Sequence, residues 1–133
     1  MPAMFQDLLL SDWFSVLARL VLTSFFWIAG LFGIFKFSVM VQAIAQQNLP
    51  TPRVVVALMI ITELIGSALL VTDFHDLGWL GAGALGVFTL LSVPLGHAFW
   101  KLQPPKKMEE FQIALEHIGI VGGLMCAAVL TVV

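Results

Sequence analysis

Glu63 stands alone at the centre of an apolar run, Val54 to Val71, that carries no other formal charge. A carboxylate in such a run is costly. It must face protein or a polar cavity, and it marks a functional site by default. Four more groups able to move protons or hold polar ligands lie inside or beside apolar stretches: Arg19, His97, Glu116 and His117. With Trp27 in mid-span, they form the candidate set for ligand binding or a proton relay. A metal site needs three or four convergent ligands, and no HxxxH or ExxH spacing supports one, so none is expected. A haem between His97 and His117 is disfavoured because helix counting separates the two rings in depth by roughly 8 Å. No nucleophile elbow and no Ser-His pairing is visible. The single cysteine, Cys126, excludes an internal disulfide and dithiol chemistry. It reads as a small, buried apolar residue.

The elements that position these groups follow from composition. Of 133 residues, 60% are hydrophobic and 11% charged, where a soluble domain carries about 25% charged residues. The chain is therefore an integral membrane protein, all-α, with a single transmembrane domain. Spans are expected at about 13–37, 52–72, 77–100 and 108–131, each near the length needed to cross the hydrocarbon core. A short interfacial helix is expected between the first and second spans, where Ser38 to Thr51 is too polar to cross. Residues 1–12 lack the basic n-region of a signal peptide, so no cleavage is expected, and Met4, Phe5, Leu8 and Leu9 fit a short interfacial helix. Trp13, Lys36, Trp79 and Trp100 sit where membrane-interface anchors belong. Pro52 suits the first turn of the second span, and Pro94 predicts a kink in the third. No basic run exceeds Lys106-Lys107, which argues against nucleic acid as a partner. Lys36, Arg53, Lys101, Lys106 and Lys107 all fall on one side. The positive-inside rule places that side in the cytoplasm and both termini outside.

On a helical wheel Arg19 shares a face with Thr23, Phe26, Gly30 and Gly33, and Glu63 shares one with Met59, Ile60, Gly66, Ser67 and Leu70. The row Gly78, Ala82, Gly86 and the row Gly119, Gly123, Ala127 read as close-packing stripes. Glu116 and Gln112 lie on the second of these, with His117 rotated by about 100°. Depth counting puts Glu63 roughly 15 Å from the cytoplasmic end of its helix and Glu116 or His117 roughly 13 Å from theirs. Arg19–Glu63 and Glu63–His117 are thus the expected pairs, with His97 near the inner mouth, on the face of Gly83, Gly86, Leu90 and Val93. The blander readings stand beside them: an ion pair that only fixes helix register, a satisfied core histidine at 117, an interfacial histidine at 97, and Trp27 as packing.

These stretches resemble a family. Ala18–Lys36, with its Ala-Arg pair and Gly-x-x-Lys ending, resembles the opening of DoxX-family membrane proteins. Asn48–Pro52, Glu63–Val71, His97–Trp100 and His117–Met125 resemble later family motifs in the same order, so the likeness runs over about residues 18–125. The chain departs from the family pattern at the turn Thr72–Asp76, where relatives often carry an Arg. It departs again at Glu116-His117, where they commonly read Lys-Asn; the family alignment favours the position of His117 as inward-facing, whereas the small-residue stripe favours Glu116. The resemblance implies a four-helix bacterial inner-membrane protein tied to redox systems, some relatives being subunits of a thiosulfate:quinone oxidoreductase and others associated with oxidative-stress enzymes. For this chain it implies the membrane subunit or anchor of a redox assembly, with redox proteins as partners and a quinone-like ligand near Glu63, Trp27, His97 and Glu116 or His117. A small-molecule or proton-coupled transporter and a purely structural anchor or assembly factor are the alternatives. The small-residue rows also fit a homo-oligomer.

Overall fold

The computed structural model describes all of residues 1–133. Six α-helices follow one another with no strand: α1 Ala3–Leu9, α2 Asp12–Phe35, α3 Phe37–Gln46, α4 Pro52–Thr72, α5 Gly78–Gly96 and α6 Lys106–Val132. α2, α4, α5 and α6 are long and apolar enough to cross a membrane, and α1 and α3 are short helices beside them. Only 18 of 133 residues are buried. The rest of the bundle surface is largely Leu, Ile, Val and Phe, so a lipid bilayer must supply the apolar surroundings. The protein is an all-α, multi-pass membrane four-helix bundle.

The four long helices pack in chain order. α2 lies along α4, α4 along α5 and α5 along α6, whereas α2 and α6 touch over only a few residues. The core draws on all four long helices: Phe26 from α2, Leu70 from α4, Ala82 and Leu85 from α5, Leu124 and Ala127 from α6. At the α4–α5 seam the two backbones approach each other directly. A methyl group on Gly81 would stand 2.5 Å from the carbonyl oxygen of Gly66 and 2.8 Å from the backbone nitrogen of Leu70. Backbone meets backbone there because Gly66 of α4 and Gly81 of α5 carry no side chain at the contact.

Turn chemistry sets the helix ends. Pro52 occupies the first position of α4, after Thr51 in the left-handed region at φ 47°. Asp73 closes α4 at φ 47°, its N–H donating to the Leu69 carbonyl at 2.8 Å. Its Oδ1 then accepts from the N–H of Gly78 at 2.7 Å, capping the first turn of α5. α5 ends earlier than the apolar run suggests. Pro94 is tolerated within it, but the helix stops at Gly96 and a single 3₁₀ turn covers Phe99–Lys101. The N–H of His97 is shared between the carbonyls of Ser92 (3.2 Å) and Val93 (3.0 Å), and its φ of −123° takes it out of the helix.

α2 buries Thr23, Phe26, Gly30 and Gly33, the face read from the sequence. α6 follows its small-residue row only in part, at Gly123 and Ala127. It buries Ala114, His117, Leu124 and Ala127, and Gly119 faces open space. Cys126 is exposed rather than buried, because it lies one position off the buried stripe.

Candidate functional site

Glu63 is 5% exposed and sits on the buried face of α4 with Gly66, Ser67 and Leu70. Gly30 of α2 makes room for it: a methyl there would stand 3.4 Å from Glu63 Cβ and 2.7 Å from Leu64 Cδ2. No cation reaches the carboxylate, since the only ion pair in the chain joins His97 to Glu110. One turn on, Ser67 Oγ is buried with no hydrogen-bond partner. Two polar side chains at i and i+4 therefore share an interior face of one helix with nothing in the protein to satisfy them.

The expected Arg19–Glu63 pair does not form. Arg19 Nη1 donates instead to the carbonyl of Leu70 at 3.3 Å. Leu70 is two turns beyond Glu63, and its carbonyl is one of the last four of α4, which have no partner within the helix. The guanidinium thus closes a helix end, and a reading of Arg19–Glu63 as a register-fixing ion pair loses its basis. Trp27 is likewise placed apart from the carboxylate. Its Nε1 donates to Thr23 Oγ1 at 3.1 Å, Thr23 Oγ1 in turn donating to the Arg19 carbonyl at 2.7 Å. The indole lines a shallow apolar groove with Leu64, Ala68 and Leu69 on the outside of the α2–α4 seam.

The histidines come together more closely than helix counting suggests. Their ring centroids are 5.0 Å apart. His97, released from α5, turns toward α6, where its Nδ1 lies 2.7 Å from Glu110 Oε2. It is therefore not held on the Gly83–Val93 face of α5. His117 Nδ1 donates to the Ile113 carbonyl at 2.8 Å; a carbonyl can only accept, so the hydrogen is on Nδ1. The same tautomer suits His97 beside its carboxylate. Both rings keep Nε2 free of protein partners. Glu110 is the residue that sequence reading passed over. The available signal was its position seven residues, or two turns, before His117 on one face of α6.

His117 and Glu63 make no direct contact of hydrogen-bond length. His117 packs edge-on to Phe25 of α2, with centroids 6.1 Å apart, and Glu63 Cβ is beside Gly30 of the same helix. Five residues of α2 separate these levels, or about 8 Å along its axis. Glu116 is exposed, accepting from Gln112 Nε2 at 3.1 Å, so of the two neighbours His117 is the inward one. Trp13, Trp79 and Trp100 are each at least half exposed at helix ends, and Lys36 is exposed at the end of α2. No group of three or more potential ligands converges on a metal position.

A family model described as DoxX matches residues 14–98, which spans α2 through the end of α5. The matched segment includes Arg19, Glu63 and His97 and stops before α6, so Glu110 and His117 lie beyond it. No curated protein and no solved structure matches the chain.

Proposed function

The chain belongs to the DoxX family, and from that premise we propose that it is the membrane subunit or anchor of a redox assembly that holds a quinone-like ligand in the bundle interior. The observation that carries this reading is Glu63: a buried carboxyl in a membrane helix with no cation and no hydrogen bond, beside the equally unpartnered Ser67 Oγ. Unsatisfied polar groups in hydrocarbon cost several kcal/mol each on the order of a lost hydrogen bond or more. A ligand with a polar head group and an apolar body satisfies them. Ser67 donates to a ligand oxygen, and Glu63 exchanges a proton with the head group. The Nε2 atoms of His97 and His117, whose rings are held by Glu110 and the Ile113 carbonyl, are acceptors, one of which takes a hydrogen bond from a ligand hydroxyl. A quinone, when bound, supplies electron transfer coupled to proton uptake. The setting is the bacterial inner membrane, with both termini on the periplasmic side, and Trp13, Lys36, Trp79 and Trp100 hold the bundle at the interfaces.

Native mass spectrometry of gently extracted protein, followed by identification of the bound small molecules, tests the reading. A quinone or similar ligand is expected with the wild type and is expected to be lost in Glu63→Gln. Protein that carries lipid alone, or only another polypeptide, in wild-type form overturns the ligand reading and leaves the anchor.

A further inference from the structure

Where α2 and α6 part, a groove of about 480 Å³ opens at the end of the bundle that carries both termini. Its floor lies where Leu22 approaches Gly123: a methyl on Gly123 would stand 2.9 Å from Leu22 Cδ1. Its walls are apolar, with Leu22, Cys126 and Leu130 among them, but α2 places two charges in it, Asp12 and Arg19. They are seven residues apart, so they share a face two turns apart, about 10 Å in depth. Asp12 is at the mouth, in the first turn of α2. Arg19 is deeper, and its partner in the protein is a backbone carbonyl. Neither charge is compensated by a side chain.

We infer that this groove is a binding site for a zwitterionic phospholipid with a primary ammonium headgroup, phosphatidylethanolamine. The order of charges matches the order of groups in such a lipid. The phosphate, nearer the acyl chains, meets the guanidinium, which forms strong charge-assisted bonds to phosphate oxygens. The ammonium, farther out, meets Asp12. The first part of one acyl chain lies against Leu22 and Leu130, and the remainder stays in the bilayer. An anionic lipid such as phosphatidylglycerol satisfies Arg19 but offers Asp12 only a neutral glycerol in place of an ammonium, so the groove favours the zwitterionic lipid.

Cys126, the only cysteine, lines the groove and is exposed, so its maleimide labelling in detergent reports occupancy. Phosphatidylethanolamine is expected to slow labelling of the wild type several-fold more than phosphatidylglycerol does. Arg19→Gln is expected to abolish protection by both lipids. Asp12→Asn, in an exposed first turn where folding is not at stake, is expected to erase the difference between them. Labelling that ignores added lipid, or equal protection by the two lipids in the wild type, overturns the inference. Glu63→Gln is expected to keep the protection, which separates this site from the interior one.

Discussion

Two buried hydroxyls show how differently the same chemistry is used in this interior. Thr23 and Ser67 are both fully buried. Thr23 Oγ1 donates to the Arg19 carbonyl and accepts from Trp27 Nε1, so it is spent on holding α2 together and orienting an indole. Ser67 Oγ has no partner. Removing a hydroxyl that leaves another group unsatisfied costs about 1–3 kcal/mol, whereas removing one that was itself unsatisfied recovers its desolvation cost. Thr23→Val is therefore expected to destabilise the ligand-free protein by about 1–2 kcal/mol. Ser67→Ala is expected to leave its stability unchanged or raise it by about 1 kcal/mol. Reversible unfolding in mixed detergent micelles measures both. A marked loss of stability in Ser67→Ala would show that the hydroxyl has a structural partner and would remove one of the two orphaned groups on which the interior site rests.

Helix faces decide which small residues matter. Gly81 and Gly83 lie two positions apart on α5, yet only the first meets another backbone. Gly81→Ala drives a methyl into the Gly66 carbonyl and must separate α4 from α5, at a cost of about 1–3 kcal/mol or more. Gly83→Ala meets nothing within 4 Å and is expected to be neutral or to stabilise by up to about 1 kcal/mol, since alanine is the better helix former. Paired unfolding measurements check the contrast, and equal effects would mean that the α4–α5 seam is looser than described. Helix faces also limit what sequence periodicity conveys. On α2 one stripe joins Thr23, Phe26, Gly30 and Gly33, so the buried face was legible. On α4 the Glu63–Ser67–Leu70 stripe was equally plain. On α6 the small-residue row Gly119–Gly123–Ala127 competes with Ala114–His117–Leu124–Ala127, and glycine serves a lipid-facing position as readily as a seam. Volume alone could not choose between Glu116 and His117. His97 was illegible for another reason. A residue's place on a helical face holds only while the helix continues, and after Pro94 α5 lasts only to Gly96, so the ring's direction comes from a turn and from Glu110 on another helix.

Across the whole molecule the lysines and arginines are sorted by face. α2 and α5 start, and α4 and α6 end, on the face that carries both termini, which holds Asp7, Asp12, Asp73 and Asp76. The opposite face holds Lys36, Arg53, Lys101, Lys106 and Lys107, all the cations of the chain except Arg19. Lysine and arginine in short loops are retained on the cytoplasmic side during insertion, whereas acidic residues contribute little. Arg19 does not weaken the asymmetry, because it lies two turns inside α2 with its guanidinium against the end of α4. Alkaline phosphatase, which folds only after export, is therefore expected to be active when fused after Val133 and inactive when inserted into the loop at 102–105. Replacing Lys101, Lys106 and Lys107 by glutamate removes three of the five retained charges and is expected to give a mixed population by the same assay. The reverse pattern in the unaltered chain would place the Asp12–Arg19 groove and its lipid in the opposite leaflet while leaving the bundle interior, and the path of any ligand to Glu63 from within the bilayer, as described.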